Sequence, residues 1–236
     1  MSEKTIGFII AAGKQTRFES AIPKPLMEYK NTGVTLLDMN ITNMKTVCDE
    51  IIVVCSQENH QYFEKYNPMI ITSGQGCGDA VWKAISRFSP DPTDMCFIQW
   101  GDCVHEQHIY SRIKHAYDGV WIIPCVTEDK PYVQIKPDRD NVLVSFSKYG
   151  EYTGRGFHDL SVFYGNMQVM LDSLTVFRST IWDKNLLKYT HRHSNEMLFL
   201  DVFNETDIPA QILEIEAYKP FTFNTLEEFN KLNTLS

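Results

Sequence analysis

The sequence predicts an α/β protein: a three-layer α/β/α fold built on a mixed, mostly parallel sheet. Three observations predict it. Four short apolar runs in the first hundred residues alternate with three segments of helical period, the pattern of parallel strands joined by crossover helices. The first run, Gly7 to Ala12, is continuously apolar without helical period, as suits a strand covered on both faces. Three glycine-bearing loops, at 13–18, 73–79 and 100–103, each follow a predicted strand. Right-handed crossovers would bring all three to one edge of the sheet, where open α/β sheets bind ligands.

Taken in order, the first strand runs into Gly13. Ala11, Ala12 and Gly13 carry so little side chain that backbone N–H groups can approach an anion closely, and Arg17 and Lys24 add positive charge nearby. Thr35 can cap a helix whose Leu37, Ile41, Met44 and Cys48 share a face. A second strand is expected at 50–55, a helix at 57–66 and a third strand at 68–72. The run Ser73 to Asp79 opens a helix with an apolar stripe of Ala80, Val81, Ala84, Ile85 and Phe88, which Ser89-Pro-Asp-Pro-Thr93 breaks. The fourth strand, 95–99, ends in Trp100-Gly101-Asp102.

Beyond it a helix is expected at 106–117, then strands at 120–126, 132–136 and 142–146. A loop with three glycines follows at 150–156, then a strand at 159–164, helices at 166–179 and 194–203, and a strand at 209–216. The last helix begins near Asn224 and buries Leu226, Phe229 and Leu232. This second half is less regular and richer in strands, as expected of a part that shapes a second substrate pocket.

With 236 residues and 43% hydrophobic content, the chain can bury a full core and is expected to form one domain over 1–236. No repeat of fixed period, low-complexity linker or apolar run near the roughly 20 residues of a membrane span is present. The polar start Met-Ser-Glu-Lys leads directly into a strand, so a cytoplasmic protein with no membrane partner is expected. Six cysteines without a C-x-x-C pair read as reduced core residues. A formal charge of −8 disfavours nucleic acid as a partner and repels free nucleotides. A nucleotide site would therefore need local compensation from Arg17, Lys24 and a divalent cation. The oligomeric state is left open, with a homodimer one option.

The string Ile10-Ala-Ala-Gly-Lys-Gln-Thr-Arg-Phe18, followed by Pro23-Lys24, resembles the nucleotide loop of the nucleotidyltransferase superfamily with a GT-A-like, Rossmann-like fold. This superfamily includes the sugar-1-phosphate nucleotidyltransferases and small cytidylyltransferases, whose pattern is roughly L-A-A-G-x-G-T-R-[MF]…P-K. Gln15 departs from it, and where φ must be positive Gln carries strain that Gly avoids. Gly76-Cys-Gly-Asp-Ala80 is similar to the G-T-A-D-A segment with which the superfamily touches the nucleobase, with Cys77 and Gly78 replacing Thr and Ala. That likeness implies Gly76 and Gln75 at the base edge. Asp79 also suits the first turn of a helix, where the macrodipole favours a carboxylate. Gly101-Asp102 resembles the G-D that holds a divalent ion in these enzymes, and a carboxylate is the right donor for Mg²⁺. Asn224 matches a second metal ligand before the last helix, although with Glu227 it also fits a helix cap. Asp201 is a further metal candidate.

The resemblance implies a Mg²⁺-dependent nucleotidyltransferase that joins an NTP, with CTP or UTP favoured, to a sugar 1-phosphate or other small phosphorylated acceptor and releases pyrophosphate. Residues 1–118 would form the nucleotide-binding half and 119–236 the acceptor-binding half. Arg17 would neutralise the β,γ-phosphates, Lys24 would bridge α-phosphate and acceptor, and Asp102 with Asn224 would hold the metal. Ala11, Ala12, Gly13, Gln15, Gln75, Gly76 and Asp79 would contact the nucleotide. Tyr149, Tyr152, Phe157 and Tyr164 line an acceptor pocket or else belong to the core. His191 and His193, at i and i+2, do not share a helix face and make a poor metal pair. A catalytically silent homologue that binds nucleotide or sugar phosphate is the alternative. A glycosyltransferase of the same fold is disfavoured by the lack of a clear D-x-D and by the Arg17 and Lys24 loop.

Overall fold

A computed structural model describes residues 3–13, 18, 20–72, 74–138, 141–146, 154–191 and 194–234. In chain order the first half comprises β1 (Thr5–Ile10), α1 (Leu36–Met44), β2 (Glu50–Ser56), α2 (His60–Phe63), β3 (Met69–Ile71), α3 (Cys77–Phe88), β4 (Met95–Trp100) and α4 (Gln107–His115). The second half comprises β5 (Trp121–Asp129), β6 (Val133–Asp138), β7 (Asn141–Phe146), β8 (Arg155–Asp159), β9 (Val162–Asn166), α5 (Met167–Ile181), β10 (Trp182–Asp183), β11 (Lys188–Tyr189), α6 (Val202–Glu205), β12 (Ala210–Glu214) and α7 (Leu226–Thr234).

Ten strands make one mixed sheet in the order β3-β2-β1-β4-β9-β5-β8-β6-β7, with β12 paired to β5, while β10 and β11 form a separate hairpin. The strands β3, β2, β1 and β4 are parallel, as the alternating pattern predicts. From β9 onward most pairings are antiparallel, and β12 adds a parallel strand beside β5. Strand β1 shows why its sequence is apolar throughout. Its Ile6, Phe8 and Ile10 pack in one core with α3 and α5, and Ile9 packs in the opposite core with α1 and α4. Period-two alternation serves two cores at once. A third, smaller cluster of Phe18, Leu36, Val104, Phe221, Phe223 and Phe229 anchors α7 at the edge of the sheet.

Several expected elements are corrected. The first strand is Thr5–Ile10 rather than 7–12, although Ala11 still donates to the Val54 carbonyl at 2.7 Å. The helix expected at 57–66 is one turn, α2, followed by a 3₁₀ turn, and Asn67 in the left-handed region (φ 47°) ends it. The strand expected at 159–164 is split into β8 and β9 by a corner at which Ser161 has φ 60°. Most of the loop expected at 150–156 lies outside the described residues, and Arg155 and Gly156 belong to β8.

The helix expected at 194–203 does not form; only α6 is helical there. Its backbone is engaged elsewhere: Met197 donates to the Gln75 carbonyl at 2.8 Å and accepts from the Gly78 amide at 2.8 Å. The Phe199 amide donates to Cys77 Sγ at 3.2 Å. Tertiary hydrogen bonds have replaced the i→i−4 ladder. The final helix buries Phe229 and Asn233, with Leu226 and Leu232 packed partly against the third cluster. Among the described residues no helix is long and apolar enough to cross a membrane.

His105 sits just beyond β4 at 0% exposure, between the rings of Tyr110 and Tyr218, with Nδ1 3.2 Å from the Tyr218 hydroxyl. Burial holds its pKa down to about 4. Between roughly pH 6.5 and pH 4 the unfolded chain binds a proton that folded His105 refuses, so folding stability falls as the pH drops through that window. Chemical denaturation is expected to show His105 contributing about 2 kcal/mol of destabilisation between pH 7 and pH 5. The His105→Gln variant is expected to lose that portion of the pH dependence; an unchanged profile would show that His105 is not the buried neutral group.

Candidate active site

Strands β1 and β4 lie side by side, parallel, with Ile10 opposite Trp100. Their carboxyl ends therefore deliver Ala11, Ala12 and Gly13 next to Gly101 and Asp102, and the Gly101 amide donates to the Ile10 carbonyl at 3.0 Å. A side chain at Gly101 would press on Pro25, since a Cβ there would lie 3.0 Å from the proline ring. Glycine thus lets the 3₁₀ turn Lys24–Leu26 pack directly over the β4 end. That turn, framed by Pro23 and Pro25, aims Lys24 at the sheet edge.

The Lys24 ammonium lies 3.3 Å from Asp102 Oδ2, with side-chain exposures of 14% and 32%. It also donates to the Phe223 carbonyl at 3.1 Å and stands 5.4 Å from the centroids of both Phe18 and Phe223. These contacts fix the cation in place without removing it from solvent.

Two cavities meet at Asp102, and Lys24 lines the smaller of them. The smaller, about 450 Å³, is lined by Ala11, Ala12, Gly13, Lys24, Gly76 and Asp102 among others. The larger, about 1070 Å³, runs between β5, β8 and the segment before α7, and its wall includes Asp159, Arg155, His158 and Asn224. Trp100, Asp102, Cys77, Glu196 and Leu198 belong to both. Asp102 and Glu196 are thus the carboxylates the two compartments share.

The loop at 74–79 is shaped from its far side. Gly76 has φ 109°, and a Cβ there would collide with the Met197 carbonyl. At Gly78 the same carbonyl would lie 3.0 Å from a Cβ. Asp79 does not line either cavity. Its carboxylate, 3% exposed, receives the Gln75 amide at 3.0 Å, the Lys83 ammonium at 2.7 Å and the Tyr189 hydroxyl. Asp79 therefore shapes the loop from its buried side, and its carboxylate, expected at the nucleotide, faces neither cavity. The Gln75 side chain points away to the Leu187 carbonyl at 3.2 Å.

Arg17 and Gln15 lie outside the described residues, as do His193, Tyr149 and Tyr152. Asn224 is exposed on the larger cavity, beside the Phe223 carbonyl that holds Lys24. The cap of α7 is made by its neighbours: Thr225 Oγ1 accepts from the Glu228 amide at 3.2 Å, and Glu228 accepts from the Asn224 amide at 2.6 Å. Glu227 plays no part, so the Asn224 side chain is not the cap. Asp201 is buried away from both cavities, 3.3 Å from His191 Nδ1, and is not beside Asp102. Phe157 and Tyr164 pack in the core, Tyr164 with its ring 4.4 Å from that of Phe97.

The sequence did not point to Asp159, Glu196 or Leu198. Asp159 is nine-tenths buried at the end of β8, with Oδ1 accepting from the Ser161 amide at 2.8 Å. Burial pushes its carboxyl pKa up. Its signal was faint, an Asp two residues before an unusual corner. Glu196 and Leu198 were masked by the apparent helix at 194–203. All six cysteines are free thiols. Burial pushes Cys77 up to about 11 and Cys103 up to about 12, so neither offers a thiolate at the site.

No protein-family model matches the chain. Over 81 residues it is 27% identical to 2-C-methyl-D-erythritol 4-phosphate cytidylyltransferase of Chlamydia pneumoniae, a stretch covering 34% of this chain and 38% of that protein's length. The structure of HddC from Yersinia pseudotuberculosis complexed with GMP-PN is similar over 99% of this chain and 100% of that one, with TM-score 0.66 and 18% identity. The inositol-1-phosphate CTP transferase from T. maritima is similar over 99% of this chain and 95% of that one, with TM-score 0.71 and 12% identity. The chain has the fold of these structures, in agreement with the superfamily resemblance carried by its motifs.

Replacing Gly76 by Ala is expected to cost about 2 kcal/mol or more, because the methyl meets both an unfavourable φ and a backbone oxygen. Thermal or urea denaturation checks this; a Gly76→Ala protein as stable as the parent would contradict the close packing of Met197 on the loop.

Proposed function

We propose that the chain is a single nucleotidyltransferase domain that transfers a nucleotidyl group from an NTP to a small phosphorylated acceptor, with release of pyrophosphate. Residues 1–118 form its nucleotide half and 119–236 its acceptor half. The observation that carries this reading is the junction of two cavities at the Lys24–Asp102 pair. The reaction must bring two phosphates together, and the smaller cavity offers the glycine-bearing loops while the larger offers room for an acceptor.

An oxygen of the acceptor phosphate attacks the α-phosphorus in line, the bond to the bridging oxygen breaks, and pyrophosphate leaves. Lys24 stands where those two phosphates meet and offsets their repulsion as charge spreads over the transferring group. Arg17, on the loop that follows Gly13, is assigned to the departing pyrophosphate. Ala11, Ala12, Gly13 and Gly76 allow backbone to approach the nucleotide, while Gln15 and Gln75 are assigned to it by motif position alone. Arg155 and Lys219 supply positive charge on the acceptor side.

The available donors are oxygens: the Asp102 carboxylate and the Phe223 carbonyl, both bonded to Lys24, and the Asn224 amide on the wall of the larger cavity. Among the described residues no group of three His, Cys, Asp or Glu side chains gathers as a metal cage. This set fits Mg²⁺, a hard cation that takes one or two protein oxygens and completes its shell with water and substrate phosphates. Asp102 and Asn224, which both line the larger cavity, would hold the ion. When bound it supplies charge neutralisation between the phosphates.

CTP is the first nucleotide to test, since two of the similar proteins are named for cytidylyl or CTP transfer. The acceptor is taken to be a sugar phosphate or a related phosphate ester. A panel of NTPs with Mg²⁺ and acceptor phosphates is expected to yield pyrophosphate. Lys24→Ala and Asp102→Asn are each expected to slow turnover by about two orders of magnitude or more. Thermal stabilisation by nucleotide without any product would identify a silent binder instead, and near-parental rates in either variant would remove the mechanism.

A further inference from the structure

We propose that Tyr189 is a positioning residue that sets nucleotide affinity by holding the loop at 74–79 from outside the site. The inference rests on the reading of that loop as part of the nucleotide site. Tyr189 belongs to β11, in the hairpin outside the main sheet, and is 1% exposed. Its hydroxyl meets two groups of fixed polarity. Arg178 Nε donates to it at 3.0 Å, and a guanidinium can only donate. Asp79 Oδ1 can only accept from it. The hydroxyl therefore has one possible orientation, with its proton directed at Asp79 Oδ1.

Asp79 passes this constraint to the loop, because its other oxygen receives the Gln75 amide at 3.0 Å. Arg178 is itself immobilised, 4.3 Å from the Trp82 ring and 5.1 Å from the Trp182 ring. Trp82 lies on α3, one turn beyond Asp79, so the chain of contacts closes on the helix that the loop opens. The same stretch of chain grips the loop at further points. The Leu187 carbonyl accepts from Gln75 Nε2, and Met197 bonds to Gln75 and Gly78 through its backbone. The loop at 74–79 is thereby tied to residues about 110 positions later in the chain. Gly76 and Cys77, which face the smaller cavity, lie between these anchor points.

Tyr189→Phe keeps the ring and removes only the hydroxyl. Expected are a KM for the NTP raised about tenfold, a kcat within about twofold of the parent, and faster amide hydrogen exchange across 74–79. Arg178→Met, which leaves Tyr189 in place, is expected to move the same readouts in the same direction by about threefold, and it carries the test if Tyr189→Phe does not fold. A lowered melting temperature with KM and loop exchange unchanged would make Tyr189 a structural brace and overturn the proposal. If the parent protein neither binds nor turns over any NTP, the functional reading fails. Exchange at 74–79 then decides the clamp alone: faster in Tyr189→Phe supports it, unchanged overturns it.

Discussion

An ammonium and a carboxylate 3.3 Å apart, both partly open to solvent, sit where two cavities join. The surrounding fold is arranged to put them there. Strands β1 and β4 must be parallel neighbours for Gly13 and Asp102 to share an edge, Gly101 must lack a side chain for the Lys24 turn to approach, and α7 must dock for the Phe223 carbonyl to meet Lys24. The pair keeps partial contact with solvent, at 14% and 32% side-chain exposure, so an anion can reach it without unfolding its supports. The Phe18 and Phe223 rings flank the ammonium, each with its centroid 5.4 Å away.

The loop at 74–79 is governed by a different constraint, steric and distant in sequence. The backbone of residues 197–199 lies against Gly76, Cys77 and Gly78, using the Cys77 thiol as an acceptor. Its two departures from the superfamily pattern, Cys77 and Gly78, coincide with this contact. A methyl at position 78 would crowd the Met197 carbonyl, and the thiol at 77 receives the Phe199 amide. What reads locally as a weakened motif is a loop matched to a second segment.

Much of the parallel half was legible because its signals are local. Apolar runs, a Thr35 cap that accepts from the Asp38 amide at 3.1 Å, and glycines at strand ends each act within a few residues. The junction of Lys24 with Asp102 was legible through motif order alone. The rest depended on partners the sequence does not announce. Residues 194–201 have a passable helical pattern, yet the Met197 amide and carbonyl and the Phe199 amide are taken by the glycine loop. Asp79 reads as a helix-start carboxylate or a ligand contact, and only Tyr189 and Lys83 show it to be a buried brace. Thr225, not Asn224, caps α7 because Glu228 rather than Glu227 faces back over the first turn. Asp159 owes its burial to the corner at Ser161, and no spacing rule marks such a corner.

The central claim is that donor and acceptor occupy separate cavities and meet at Lys24 and Asp102. A crystal structure with a non-hydrolysable CTP analogue, Mg²⁺ and an acceptor phosphate tests it most directly. The triphosphate is expected in the smaller cavity with its base against Gly76, the acceptor phosphate in the larger, and Lys24 moved from Asp102 onto phosphate oxygens. Nucleotide bound elsewhere, with the Lys24–Asp102 pair undisturbed, would contradict it.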